Sequence, residues 1–120
     1  IDEYLIDPAM NDLQRRGYLD DAVIAARIAR QRTGRRAVSK KAMRYYMQAA
    51  GLPAAIIESQ CEQLPTDNES AKQALAGRFS QPDPSEKARM IRFLASRGFS
   101  AGISTRTVTD YLDSQHDNIE

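Results

Sequence analysis

The chain repeats itself. Asp21, Ala25, Arg32 and Ser39 recur as Asp67, Ala71, Arg78 and Ser85, 46 positions later. After one inserted residue, Met43, Tyr46, Met47, Gly51 and Ile56 recur as Met90, Phe93, Leu94, Gly98 and Ile103 at a spacing of 47. A period of this length is the signature of stacked supersecondary units, each too small to bury its apolar face alone and therefore sharing core with its neighbours.

What each unit contains follows from its breakers and caps. Asp7 before Pro8 reads as a helix start, with Met10 and Leu13 inward and a stop at Gly17. Asp20 then caps a helix whose stripe is Ile24, Ala25, Ile28 and Ala29, with Tyr18 and Leu19 as the staple against it. Ser39 caps a third, bearing Met43, Tyr46, Met47 and Ala50 and closing at Gly51. Pro53 opens a fourth, with Ile56, Ile57, Cys61 and Leu64 inward. In the second half, Thr66-Asp67-Asn68-Glu69 is a capping box for a helix carrying Ala71, Ala74, Leu75 and Phe79. Asp83-Pro84-Ser85-Glu86 starts another, with Met90, Phe93 and Leu94 inward and a stop at Gly98. The alternation in Thr105–Tyr111 has a strand-like reading, but no partner strand is in sight, so a final helix after Ser100 or Ser104 is expected. The expected fold is all-α: tandem three-helix repeats stacked into an elongated, curved helical array. Residues 1–16 would end a truncated first repeat, 17–65 and 66–113 would be complete repeats, and 114–120, with His116, a disordered acidic tail.

Several function classes lose their footing here. No apolar run approaches the ~20 residues that cross a bilayer. The start, Ile1-Asp2-Glu3-Tyr4, has no basic region ahead of an apolar stretch, so it does not read as a signal peptide, and without an initiator Met the natural protein is expected to extend upstream. A single cysteine, Cys61, makes neither an internal disulfide nor a cysteine zinc site, which fits a reducing cytoplasm. The glycines stand as helix stops and form no phosphate loop. Asp20 and Asp21 have no carboxylate or histidine at ligand spacing and are explained by the helix start they occupy. No catalytic residue, metal or cofactor is expected, and no membrane contact.

Charge is the informative feature. The net charge of +1 hides a run from Ala22 to Ile57 with no acidic residue and eight basic ones: Arg27, Arg30, Arg32, Arg35, Arg36, Lys40, Lys41 and Arg44. The bland reading is a solvated surface, with Arg30 and Arg32 balancing a helix C-terminus. Against it, a surface serving only solubility mixes its signs. On the helix after Ser39, Lys41, Arg44, Tyr45 and Gln48 face away from the apolar stripe, which makes Tyr45 an exposed aromatic among cations, suited to anchoring an interface or stacking on a base. Arg89 and Arg92 form a shorter row in the next repeat. The candidate binding residues are thus Arg27, Arg30, Arg35, Arg36, Lys40, Lys41, Arg44, Tyr45, Arg89 and Arg92.

Gly17-Tyr18-Leu19-Asp20-Asp21, the apolar helix ending at Arg32, Gly34, the helix closing on Gly51, and Ser85–Arg92 leading into Phe93-Leu94-Ala95-Ser96-Arg97-Gly98-Phe99-Ser100 together resemble the RecX regulatory proteins of bacteria. The resemblance spans Pro8 to Leu112. It departs at Ala49-Ala50, where that family usually carries a basic residue before the glycine, and at Gly102, where a polar helix former is usual. The resemblance implies a monomeric, cytoplasmic modulator of the RecA recombinase that binds the RecA–DNA filament along its groove and restrains filament growth, ATP hydrolysis and strand exchange. The alternative is a stand-alone helical DNA-binding protein using the basic belt, with the helix after Ser39 as its recognition element.

Overall fold

The computed structural model describes the backbone from Pro8 to Ile119 and the side chains from Arg15 to Ser114. Its α-helices are α1 (Pro8–Gln31), α2 (Lys40–Ala49), α3 (Ala54–Glu62), α4 (Asp67–Arg78), α5 (Lys87–Ser96) and α6 (Ala101–Ile119). Short 3-10 turns at Gly34–Arg36 and Pro84–Glu86 precede α2 and α5. The described residues contain no strand, and the molecule is elongated, 72 × 23 × 17 Å. It is an all-α helical array, as the repeat requires.

Local chemistry sets most boundaries. The Ser39 hydroxyl accepts the Ala42 backbone N–H at 3.0 Å, and the Thr66 hydroxyl accepts that of Glu69 at 3.3 Å. The Asp83 carboxylate accepts the Ser85 N–H at 3.0 Å, one turn ahead of α5. Each satisfies a donor that the first helical turn leaves unpaired. α2 and α5 end alike: Gly51 and Gly98 take φ of 82° and 91°, a left-handed geometry that glycine adopts without Cβ strain. Leu52 N–H then reaches back to Met47 C=O, and Phe99 N–H to Leu94 C=O, both at 3.2 Å. These are the same bonds 47 residues apart, the second halves of two C-terminal caps.

α1 corrects the expected start. It passes through Gly17 without a break, so Gly17 is no stop and Asp20 and Asp21 lie inside a helix instead of capping one. Tyr18 and Leu19 are 56% and 54% exposed, in place of the buried staple expected. One glycine costs a helix only about 1 kcal/mol relative to Ala, and its neighbours Arg15, Arg16 and Leu19 are good helix formers. The expected cap at Asp7 and the side chains of Met10 and Leu13 lie outside the described residues. At the other end α6 keeps helical backbone through Ile119; the His116 side chain lies outside the described residues.

Two apolar clusters fill the interior. The first joins Ala25 and Ala29 of α1, Met43 and Met47 of α2, and Ile56, Ile57 and Cys61 of α3, with Val38 and Leu52 from the loops. Ile28 and Leu64 are half-buried against it, whereas Ile24, expected inward, is exposed, as are Tyr46 and Ala50 of the α2 stripe. The second joins Ala71, Ala74, Leu75 and Phe79 to Met90, Leu94, Phe99 and Val108, with Phe93 half-buried. Buried positions extend the repeat further than sequence identity does: Leu52 and Phe99, Ile57 and Ser104, Cys61 and Val108 occupy equivalent buried places. Ser104 keeps its hydroxyl satisfied by donating to Phe99 C=O at 3.4 Å. Tyr111 Oη donates to Phe79 C=O at 2.6 Å, fastening α6 to the end of α4.

The joint between the repeats is built from the loop ahead of α2. Ala37, from the upstream of the two complete repeats, is 2% exposed and belongs to the second cluster. Ser39 N–H donates to Arg97 C=O at 3.1 Å, and Lys40 N–H to Asp67 Oδ1 at 2.9 Å. Gly98 packs so closely on α2 that a Cβ there would lie 2.6 Å from Ser39 Oγ and 2.8 Å from Ala42 Cβ. The two repeats therefore meet through backbone hydrogen bonds as well as apolar contact.

Candidate binding surface at the repeat joint

The structure sorts the candidate residues into groups. Arg35 and Arg36, on the 3-10 turn, are exposed and line a cleft of about 270 Å³ with Gly77, Arg78 and Arg97. Arg36 and Arg97 also border a second, more open cleft with Gln31, Arg32, Val38 and Tyr46. Tyr46 in turn borders a third, with Lys41, Ala42, Tyr45 and Gly98. Shared lining residues set the three clefts side by side as a track across the joint, with five guanidiniums toward one end and two tyrosines with a lysine toward the other.

The remaining candidates lie apart from the track. Arg44 Nε bonds Glu58 Oε1 at 2.9 Å, and its Nη2 reaches Oε2 at 3.4 Å. That pairing holds the Arg44 pKa above its ordinary value, chiefly through the hydrogen bond to Glu58. Arg89 pairs with Glu86 at 3.4 Å. Lys40 is half-buried beside Leu64 and Gln73. Arg27, Arg30 and Arg92 are exposed but line none of these clefts.

Arg32, Arg78, Arg97 and Tyr46 complete the track and were not among the candidates. Arg32 lies over the Tyr46 ring, 3.8 Å from its centroid, a cation–π contact that stiffens both side chains. Arg97 Nη1 donates to Arg35 C=O at 3.4 Å and Ala37 C=O at 3.5 Å, and its guanidinium sits 4.7 Å from the Phe93 centroid. The sequence carried a signal for two of them: Arg32 and Arg78 are equivalent in the repeat, each at a helix C-terminus. Among the described residues, Arg32, Arg35, Arg36, Arg78 and Arg97 form no ion pair with a carboxylate, and the side chains of Arg35, Arg36 and Arg78 have no hydrogen-bond acceptor. At the other end Tyr45, 66% exposed, meets Tyr46 edge-on at 5.7 Å.

Such a surface has the chemistry to hold anions. A guanidinium presents up to five N–H donors in a planar fork that suits phosphate and carboxylate, and exposed tyrosines add flat apolar area. Among the described residues no cluster of three or more His, Cys, Asp or Glu could hold a metal ion, and no helix is long and apolar enough to cross a membrane.

Comparison with known proteins places this architecture. A protein named Regulatory protein RecX from Leptothrix cholodnii is 35% identical over 116 residues, 94% of this chain and 72% of the relative. Proteins of the same name from Thermus thermophilus and Corynebacterium efficiens are 32% and 26% identical, covering 82% and 98% of this chain. The chain spans 64% and 61% of those two relatives. No family model matches the chain, and no solved structure matches it. With more than a third of its aligned residues shared with a relative it covers for nearly three quarters of its length, the chain belongs to the RecX family of regulatory proteins.

Proposed function

We propose that this chain is a non-enzymatic, monomeric, cytoplasmic modulator of the RecA recombinase, acting in DNA recombination and repair by docking on the RecA–DNA filament and restraining its assembly, ATP hydrolysis and strand exchange. The observation that carries this reading is the track at the repeat joint: cations without carboxylate partners beside an exposed tyrosine, on a rod 72 Å long. A rod presenting a cationic row suits a partner that is itself a repeating, anionic filament. Docked in the filament groove, it would bridge neighbouring subunits and crowd out a second duplex.

Reversing Arg35, Arg36 and Lys41 to Glu tests this. Inhibition of recombinase ATPase should be lost while circular dichroism still reports full helical content; an unchanged inhibition curve would overturn the assignment. The unpaired guanidiniums also favour a second reading, direct binding to naked DNA. That reading predicts binding without recombinase and a steep loss of affinity with salt, whereas the first predicts capture only when filaments are present.

A further inference from the structure

We propose that the cleft formed by Arg35, Arg36, Arg78 and Arg97 is a phosphate-binding site, and that a phosphate group seated there clamps the two repeats together. The four guanidiniums come from both sides of the joint: Arg35 and Arg36 from the turn ahead of α2, Arg78 from the last turn of α4, Arg97 from the cap of α5.

Two observations and one chemical argument carry the inference. Four cations line one cleft of about 270 Å³ with no carboxylate among them, so their mutual repulsion is uncompensated until an anion enters. A phosphate fits this chemistry better than a halide or single carboxylate, because several guanidiniums can each take a different oxygen, two of them by a forked pair. The cleft floor is also backbone-close: Gly77 lies directly against Arg35, and a Cβ at 77 would overlap it. The bland alternative, that these arginines only offset helix C-termini, accounts for Arg78 and Arg97 better than for Arg35 and Arg36, whose 3-10 helix is a single three-residue turn with little dipole of its own.

Clamping follows from the connections at the same place. Arg97 bears on the carbonyls of Arg35 and Ala37 through long bonds of 3.4 and 3.5 Å, and its own carbonyl accepts the Ser39 N–H. An anion that draws Arg35 and Arg36 toward Arg78 and Arg97 pulls the turn onto the second repeat, where Ser39 N–H and Lys40 N–H make their bonds across the joint. The inference uses the same surface as the function proposed above but needs no recombinase, so the two can fail separately.

The test is titration of the whole chain with inorganic pyrophosphate at low salt, followed by calorimetry and by hydrogen exchange at Ser39 and Lys40. Saturable binding is expected, with exchange at those two amides slowed at least fivefold and amides at the centre of α3 unchanged. Arg78→Gln and Arg35→Gln should each weaken pyrophosphate at least tenfold, whereas Arg27→Gln with Arg30→Gln, away from the cleft, should change it less than twofold. Among the described residues the Arg78 side chain makes no hydrogen bond or ion pair and has only a distant cation–π contact with Phe79, at 5.9 Å, so its variant separates loss of binding from loss of structure. Competition assigns the source: displacement by a short oligothymidylate with the same arginine dependence indicates a nucleic-acid backbone, and pyrophosphate binding that the oligonucleotide does not displace indicates a free polyphosphate. Equal loss in the cleft variants and the Arg27/Arg30 control, or absence of saturation, overturns the site. Binding without added protection at Ser39 overturns the clamp.

Discussion

Gly77 of α4 lies against Arg35 of the turn ahead of α2, with no room for a side chain at 77: an added Cβ would overlap Arg35 Cβ and come within 2.8 Å of its Cα. The obstacle is Arg35 Cα and the Cβ fixed to it, so it cannot simply swing aside. Gly17, in the middle of α1, has nothing within 4 Å of an added Cβ among the described residues. Alanine at either site should gain roughly 1 kcal/mol in helix propensity. At 17 that gain should stand alone and raise Tm. At 77 it should be outweighed by overpacking of about 1–3 kcal/mol, giving a lower Tm. Thermal melts of Gly17→Ala and Gly77→Ala check both signs, and a stabilised Gly77→Ala would mean the joint is looser than its geometry.

The Arg44–Glu58 pair answers the question raised by the acid-free run. Its side chains are 40% and 57% exposed, so its coupling in a double-mutant cycle should be about 0.2–1 kcal/mol and shrink in salt. Because Glu58 already neutralises it, Arg44→Gln should leave recombinase inhibition within twofold, whereas Arg36→Gln should weaken it several-fold. Dose–response curves for the two variants make the comparison.

Cys61 is 1% exposed, and burial pushes its thiol pKa up; burial does the same to the Tyr111 phenol. Both folded environments favour the neutral form. Their contribution is therefore complete below the unfolded values, about 8.5 for Cys and 10 for Tyr, and is lost as pH rises through the folded ones. Tm should be flat near neutrality and fall above pH ~8.5. Cys61→Val, which copies Val108 at the equivalent place, should fold and should flatten the first part of that decline. Melts from pH 7 to 10 in both proteins test it.

Tyr45 and Tyr46 should separate binding from stability. Tyr45→Ala removes a mostly exposed ring and should change stability by no more than about 0.5 kcal/mol, yet weaken filament binding tenfold or more if Tyr45 anchors the interface, a loss of about 1.4 kcal/mol. Tyr46→Ala also removes the ring under Arg32 and should lower Tm measurably. If Tyr45→Ala bound the filament as tightly as the parent, the tyrosine end of the track would not be part of the docking surface.

The repeat apart, what could be read from the sequence was local. Ser39, Thr66 and Asp83 announce helix starts because their side chains bond backbone two or three residues on, and Gly51 and Gly98 announce stops because of the φ they tolerate. Gly17 misled because a glycine marks a stop only when the chain has reason to turn, and that depends on packing rather than residue type. The candidate surface was half legible. An acid-free run pointed to Arg35, Arg36 and Lys41, but its limit at Ile57 concealed Glu58, which folds back onto Arg44. Arg97 lies 62 positions from Arg35, and only the joint brings them together. Charge counting along a chain cannot see such pairs in either direction.

Ala37 gives the joint one further consequence. It precedes α2, yet its side chain is buried in the core of the following three helices. The period of the sequence and the period of the packing are thus out of phase: cutting the chain before Thr66 would deprive the downstream half of Ala37 and of the Arg97–Ser39 bond. A single cooperative melt for the whole chain, rather than two half-sized ones, is what such interlocking produces.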